Sequence, residues 1–208
     1  MMRVLAINGS PHEKGCTYTA LQIAAKELEN QGIGVEIVHI GTEPIRGCIG
    51  CNQCRKMKIA SCAFNDDIVN QIIEKSRSVE GLILGSPVHF SGIAGSFKCF
   101  LDRFFFARAL ERVEYKVGMS IVTLRRSGGT AAFDQLNHNL TYSNMVVPAS
   151  HYWNVVHGTK AEEVYEDKEG VQIIRMAARN MAWLMKTIEG GGAARPEKEE
   201  RVWTNFIR

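Results

Sequence analysis

Two observations predict a doubly wound α/β domain, a parallel sheet with helices on both faces. Strand-length apolar runs alternate with amphipathic helical patterns along most of the chain, the order that builds right-handed βαβ crossovers. The runs are also nearly continuous in apolar residues, as strands buried on both faces must be.

RVLAING (3–9), closed by glycine, reads as the first strand. TYTALQIAAKELENQG (17–32) reads as a helix with Leu21, Ala24, Ala25 and Leu28 on one face and Gly32 as its C-terminal cap. VEIVHI (35–40) is the second strand. After a cysteine-rich segment, DDIVNQIIEKSRS (66–78) is a helix capped by Asp66 or Asp67. EGLILGSP (80–87) is a third strand that stops at Ser-Pro, and GIAGSFKCFLDRFFFARAL (92–110) carries Ile93, Phe97, Phe100, Leu101 and Phe104 at helical spacing. VGMSIVTL (117–124) is the fourth strand, TAAFDQLNHNLTY (130–142) a helix and NMVVPAS (144–150) the fifth strand. GVQIIRMAARNMAWLMKTIEG (170–190) is the terminal helix, with Ile173, Ile174, Ala177, Met181 and Leu184 inward. Residues 1–190 are expected to form one domain with a cysteine-rich insertion at 46–63, followed by a C-terminal tail at 191–208.

A chain of 208 residues buries about 70% of its unfolded surface and needs no cross-links to hold a core. The formal charge of +3, from 25 basic and 22 acidic side chains, is too balanced for a nucleic-acid-binding surface. No secretory signal is read at the start, and no apolar stretch approaches the ~20 residues of a membrane span. A cytoplasmic protein without membrane contact is therefore expected. Four of the six cysteines crowd into GCIGCNQCRKMKIASC (47–62), at spacing C-x2-C-x2-C-x7-C. In the cytoplasm disulfides are rare, so this segment is a metal or cluster site or a thiol redox switch before it is a staple. Cys99, on an apolar helix, is expected in the core.

Ligands of such sheets bind beyond the carboxyl ends of the strands, at the topological switch point. Three loops meet there. NGSPHEKGCTYTA (8–20) offers amides, hydroxyls and a helix N-terminus around Gly9, Ser10, Gly15 and Thr17, a set suited to one phosphate. It lacks the Gly-Lys-Ser/Thr ending of a triphosphate loop and the spacing of a dinucleotide fingerprint; the plain alternative is a βα loop with a Ser-Pro turn. In GSPVHFSGIAGS (85–96), His89 and Phe90 can flank a flat ring, while Gly92 and Gly95 permit close backbone approach. In LRRSGGTAAF (124–133), Arg126 or the Gly128–Gly129 amides can meet an anionic ring edge, although a pair of arginines is also an ordinary solvated surface. Their shared location describes a site for flavin mononucleotide (FMN).

GSPHEKGCT resembles the GSPRxxGNT phosphate loop of the NADPH-dependent FMN reductase branch of the flavodoxin-like superfamily. GSPVHFSGIAGSFKCFLDRF is similar to that family's SPxYFxxxxxxxKxFxDR segment. HYWNVVHGTKAEEVYEDKEGVQIIRMAARNMAWLMK resembles the C-terminal pattern of its iron–sulfur-flavoprotein-like members. The resemblance implies a flavodoxin-like five-stranded parallel sheet of order 2-1-3-4-5. It also implies phosphate contacts from Ser10, Lys14, Gly15, Cys16 and Thr17, with Cys16 in place of the usual Asn and contributing a backbone amide. Pro87, Val88, His89 and Phe90 would contact the ring, His89 standing where Tyr is common, and Arg126, Ser127, Gly128 and Gly129 would border its pyrimidine end. Cys48, Cys51, Cys54 and Cys62 resemble the compact motif whose four thiolates hold a [4Fe–4S] cluster. Two-residue spacing aims successive sulfurs at one cubane, as in ferredoxins, and Arg46, Arg55, Lys56 and Lys58 would offset its negative charge. Four-cysteine zinc and unliganded thiols remain the alternatives.

The expected function is an FMN-dependent oxidoreductase in which the flavin carries the chemistry and no catalytic side chain is required. NAD(P)H is the expected donor, and small-molecule or protein electron acceptors the expected partners. The alternatives are an electron carrier without NAD(P)H activity, or a metal- or thiol-based redox sensor with secondary flavin binding. Phe97, Phe100, Leu101, Phe104, Phe105 and Phe106 exceed what one core-facing stripe of ~100° absorbs, so a homodimer or homotetramer is expected, as the resemblance also implies; the alternative is a helix buried on both sides within one chain.

Overall fold

The structure, a computed structural model of the chain, describes residues 1–109, 113–191, 193–200, 202–204 and 206, with 108 and 109 by backbone alone. In chain order the elements are β1 (Arg3–Asn8), α1 (Cys16–Asn30), β2 (Gly34–His39), the single turn α2 (Gln53–Lys56), α3 (Val69–Lys75), β3 (Gly81–His89), β4 (Gly92–Ile93), α4 (Gly95–Phe104), β5 (Val117–Leu124), α5 (Gly129–Tyr142), β6 (Val155–His157) and α6 (Lys168–Gly190). A turn of π-helix, Phe105–Ala109, extends α4; the expected helix end at 110 lies outside the described residues.

The strands order as β2-β1-β3-β5-β6, all parallel, with β4 folded back antiparallel on the end of β3. With that two-residue hairpin set aside, this is the expected 2-1-3-4-5 order. Register explains the continuous apolar runs. In β1, Val4 and Ala6 join the cluster under α1 and α6, whereas Leu5 and Ile7 join the cluster under α3, α4 and α5. Both faces are buried, so neither set of alternate positions can be polar.

The fifth strand departs from expectation. Only Val146 of the 144–150 run pairs with the sheet, as a parallel bridge to Val117. Pro148 has no N–H to give a ladder and the chain leaves the sheet there. It returns as β6, whose Val155–His157 pair with Val122–Leu124.

The aromatic surface of α4 also departs from expectation. Phe97, Phe100, Leu101 and Phe104 are fully buried inside the chain, and Phe105 nearly so. Phe97, Phe100 and Phe104 stack in sequence with centroids 5.8 and 5.5 Å apart. The sheet covers one side of this helix and the cysteine segment reaches the other, placing Cys54 in the same apolar cluster. These side chains are therefore satisfied within one chain and offer no surface of their own to a subunit contact, while Phe106 is half-buried and lines the cysteine pocket. Cys99 is half-buried, and a β-carbon on Gly47 would lie 3.5 Å from its sulfur, so it faces the cysteine segment rather than the core centre.

The start of the tail docks at the amino end of β5, where Lys198 pairs with Glu114 and Arg195 lies 5.4 Å over the Tyr115 ring. Among the described residues no helix is long and apolar enough to cross a membrane.

Candidate functional site

The loops after β1, β3 and β5 are tied together at the carboxyl end of the sheet. The Gly9 amide donates to the Gly85 carbonyl at 2.8 Å, joining the roots of the first two loops. Glycine is needed at position 9, since a β-carbon would fall 2.1 Å from the Phe97 ring. Thr17 and Thr123 share a 2.8 Å hydroxyl bond that ties the start of α1 to the end of β5. Gly128, at φ +89°, packs so closely on Ser91 that a β-carbon would stand 2.9 Å from it. That contact brings loops two and three together.

Loop one is folded on its own hydrogen bonds. The Ser10 amide donates to Asn8 Oδ1 at 3.1 Å, and the His12 amide donates to Ser10 Oγ at 3.0 Å. The His39 ring stands 2.7 Å from the Ser10 carbonyl, so its Nε2 carries the proton. No side chain caps α1 at Gly15, and no acidic residue occupies its first turn. Its first amides are thus presented to an anion in a field that favours negative charge. Ser10 and Thr17 are buried, Lys14 is exposed and Gly15 and Cys16 are half-buried. The Cys16 thiol donates to the Gly158 carbonyl at 3.4 Å, so this side chain is turned away from a ligand over the helix end. Burial pushes that thiol up, helped by the carboxylates of Glu163 and Glu162 against the lowering effect of its own amide. It is a neutral packing group.

Loop two turns sharply. Phe90 and Ser91 both have positive φ, closing the β3–β4 hairpin in which His89 pairs with Gly92. Pro87 and Val88 are half-buried, whereas His89 and Phe90 are exposed. Ser86, fully buried, accepts the Ala94 amide at 3.1 Å and fixes the path into α4. In loop three, Arg126 and Ser127 are exposed, Gly129 is buried, and Gly128 opens α5 without a side-chain cap.

Beyond loop three lies a cavity of about 510 Å³, within the range of small-molecule sites. It brings Arg126, Ser127, Gly128 and Gly129 together with Tyr152, Trp153, His157 and Asp167. The last four are not singled out by the sequence reading; the run HYWNVVHG, with two adjacent aromatics before a strand, is the signal that marks them. Asp167 caps α6 by accepting the Gly170 amide and also accepts from the His157 amide and ring. A larger cavity, about 690 Å³, runs along α1 and β2 past Gln22, Lys26 and Tyr165, away from the strand ends and without a glycine-bearing loop. The strand-end location carries more weight, because that is where this topology places ligands.

The cysteine segment forms a second centre. Cys48, Cys51, Cys54 and Cys62 line one small pocket with Phe64, Arg103 and Phe106. Among the described residues, no three His, Cys, Asp or Glu side chains are grouped tightly enough to hold a single metal ion. Cys54 is buried and its thiol donates to the Phe106 carbonyl at 3.7 Å; Cys48 and Cys51 are exposed. Burial pushes the Cys54 thiol up, the Arg55 amide opposes this, and Cys62, Cys51 and Cys48 raise it further. Asn70 clamps the backbone of Cys62 on both sides, accepting its amide at 2.7 Å and donating to its carbonyl at 3.0 Å. Arg46 and Arg55 lie over the Phe64 and Phe106 rings at 4.9 and 4.4 Å. Asn70, Asp67 and Arg103 escape the sequence reading as site residues. An arginine between Phe100 and Phe104 on an apolar helix is the signal that points to a buried ion pair there.

Residues 2–160 match the family described as NADPH-dependent FMN reductase. An iron–sulfur flavoprotein of Methanocaldococcus jannaschii is 31% identical over 195 residues, covering 90% of this chain and 100% of the relative. An iron–sulfur flavoprotein of Methanosarcina thermophila is 25% identical, covering 90% of this chain and 97% of its own. Among solved structures, RosB with a bound 8-demethyl-8-formylriboflavin-5′-phosphate intermediate superimposes with a TM-score of 0.74 at 14% identity, over 100% of this chain and 93% of that one. This likeness shows the fold. Matched across most of its length, the chain belongs to the NADPH-dependent FMN reductase family, in its iron–sulfur flavoprotein branch, and is an FMN-dependent oxidoreductase.

Proposed function

We propose that the three loops hold one FMN, with its phosphate at the start of α1 and its ring at loops two and three, and that NAD(P)H reduces it. One observation carries this reading: two helix N-termini without side-chain caps meet two touching loops at the ends of β1, β3 and β5. When bound, FMN supplies the redox chemistry. The chain's part is positional. The amides of Gly15, Cys16 and Thr17 receive the phosphate; the Ser10 hydroxyl, which accepts from His12, keeps its own hydrogen to donate; and Lys14 adds positive charge. Pro87, Val88, His89 and Phe90 line the ring. Arg126, Ser127, Gly128 and Gly129 set donors at its pyrimidine edge, where fixed dipoles favour the negative charge of a reduced flavin.

The cysteines fit an iron–sulfur cluster. A single zinc ion needs four thiolates within about 2.3 Å of one point. A cubane takes one thiolate on each iron, which suits sulfurs set around the walls of a pocket, with Arg103 in that wall. Cys48, Cys51, Cys54 and Cys62 would hold the [4Fe–4S] group, which supplies one-electron transfer. A cytoplasmic homodimer or homotetramer serving small-molecule or protein electron acceptors completes the proposal. Exposed Phe90, Tyr152 and Trp153 around the site are the surface a second subunit would cover.

The test is chemical. Chromophore released by heat should chromatograph as FMN; FAD, or no flavin after reconstitution, overturns the site. Under argon, NADPH or NADH should bleach the flavin, and bleaching by one-electron donors alone would make the protein an electron carrier. Anaerobic reconstitution should give about four irons per chain; zinc or no metal overturns the cluster.

A further inference from the structure

Arg103 is fully buried, an unusual place for a guanidinium. Its hydrogen bonds run to the cysteine segment and to the residues just after that segment. Its Nε donates to the Cys62 sulfur at 3.3 Å. One terminal nitrogen donates to the Arg46 carbonyl at 3.2 Å, just before the first cysteine, and the other to the Phe64 carbonyl at 3.1 Å, just after the last. Both terminal nitrogens bond Asp67, whose side chain is 7% exposed, in a two-pronged ion pair. The charge persists, since burial alone would discourage it but the bonds to Asp67 and Cys62 outweigh that and hold the group above its ordinary range. One cation thus fastens both ends of the segment and directs one N–H at one of its four sulfurs.

A structural pin would need only the carbonyl and carboxylate bonds. The N–H to sulfur is different, because hydrogen bonds to ligating sulfurs and nearby charge set the potential of an iron–sulfur group. We propose that Arg103 is a positioning residue that aims Cys62 and raises the reduction potential of the cluster, and that Asp67 moderates this effect. The inference rests on the cluster reading above. A donor and a positive charge at the sulfur favour the reduced state, which carries more negative charge; the Asp67 carboxylate, bonded to the two terminal nitrogens, offsets part of that field. The two residues therefore act on the potential with opposite signs.

The experiment compares wild type, Arg103→Lys and Asp67→Asn after anaerobic reconstitution with iron and sulfide. Iron per chain, melting temperature and separate midpoint potentials of cluster and flavin are measured. Arg103→Lys keeps a charge but loses the fork, so the cluster potential should fall while the flavin potential holds. Asp67→Asn should move the cluster potential up. A folded Arg103→Lys protein that keeps FMN but takes up no iron also supports the role in aiming Cys62. Unchanged cluster potentials in both variants overturn the proposal and leave Arg103 a structural pin, as does failure of both variants to fold. If only Arg103→Lys fails to fold, Asp67→Asn decides by whether its potential rises. A wild type that takes up no iron fails the cluster reading itself, and the proposal falls with it.

Discussion

Gly128 lies against Ser91 with no room for a side chain between them: a β-carbon on the glycine would stand 2.9 Å from both the Cα and the Oγ of the serine. The glycine is also at φ +89°, where side chains with a β-carbon are strained. Gly128→Ala should therefore cost about 1–2 kcal/mol from the backbone alone and push loop three away from loop two. FMN affinity should drop several-fold in a flavin titration. A folded variant with wild-type affinity would show that this contact does not shape the flavin site.

Thr17 separates two roles that the sequence joins. Its hydroxyl is buried against Thr123 at 2.8 Å, and where Thr17 is the donor in that pair only its amide is left for a phosphate. Thr17→Val strands the Thr123 hydroxyl and should cost about 1–3 kcal/mol of stability, with FMN affinity within about twofold of wild type. Thr17→Leu should weaken both, since the Thr17 methyl already lies 3.0 Å from where a β-carbon on Gly85 would be, and overpacking costs about 1–3 kcal/mol. Melting curves and flavin titrations on the same samples check both; a large affinity loss in Thr17→Val would restore the hydroxyl as a ligand.

Cys51 is exposed, and the sheet is assembled without it. Cys51→Ser should change stability by no more than about 0.5 kcal/mol and leave FMN bound, while iron uptake and cluster absorbance disappear. Hydride transfer from NAD(P)H should survive and reduction by a one-electron donor should not. Loss of fold and flavin together would make the segment structural and favour zinc.

Asp167 links stability to pH. Burial pushes its carboxyl up, but the amides of Gly170 and His157 and the His157 ring outweigh that and hold it below its ordinary value. A carboxyl lowered in the folded state contributes stability that is present above the unfolded pKa of about 3.9 and is lost as pH falls through the folded one. Asp167→Ala should cost about 1 kcal/mol near neutrality, as a lost helix cap does, and should flatten the acid limb below pH ~4. Denaturant melts from pH 3 to 7 check this; parallel acid limbs in variant and wild type would refute it.

Much of the sheet is legible in the sequence because burial on both faces writes itself into strand composition. The fourth strand reads as Val117–Leu124, the bounds of β5, and the next helix is placed to within one residue. The fifth is misplaced because Val146 and Val147 look like strand, whereas β6 has three residues and too little length for a pattern. The three loops stand out because glycines after strands mark close approaches. The Arg103–Asp67–Asn70 clamp does not, because its partners lie up to 57 residues apart and only the fold brings them together.

The short β6 has a consequence for the fate of the chain at high concentration. An open sheet edge is a template on which another chain can add a strand, and proteins blunt such edges. Here one edge offers three residues, and the other, β2, carries Glu36 in mid-strand, held by Lys75 at 2.5 Å. Neither is a long apolar rail. Aggregation should therefore begin from partly unfolded molecules in which β1 or β3 is uncovered, and its rate should follow global stability rather than the sequence of either edge.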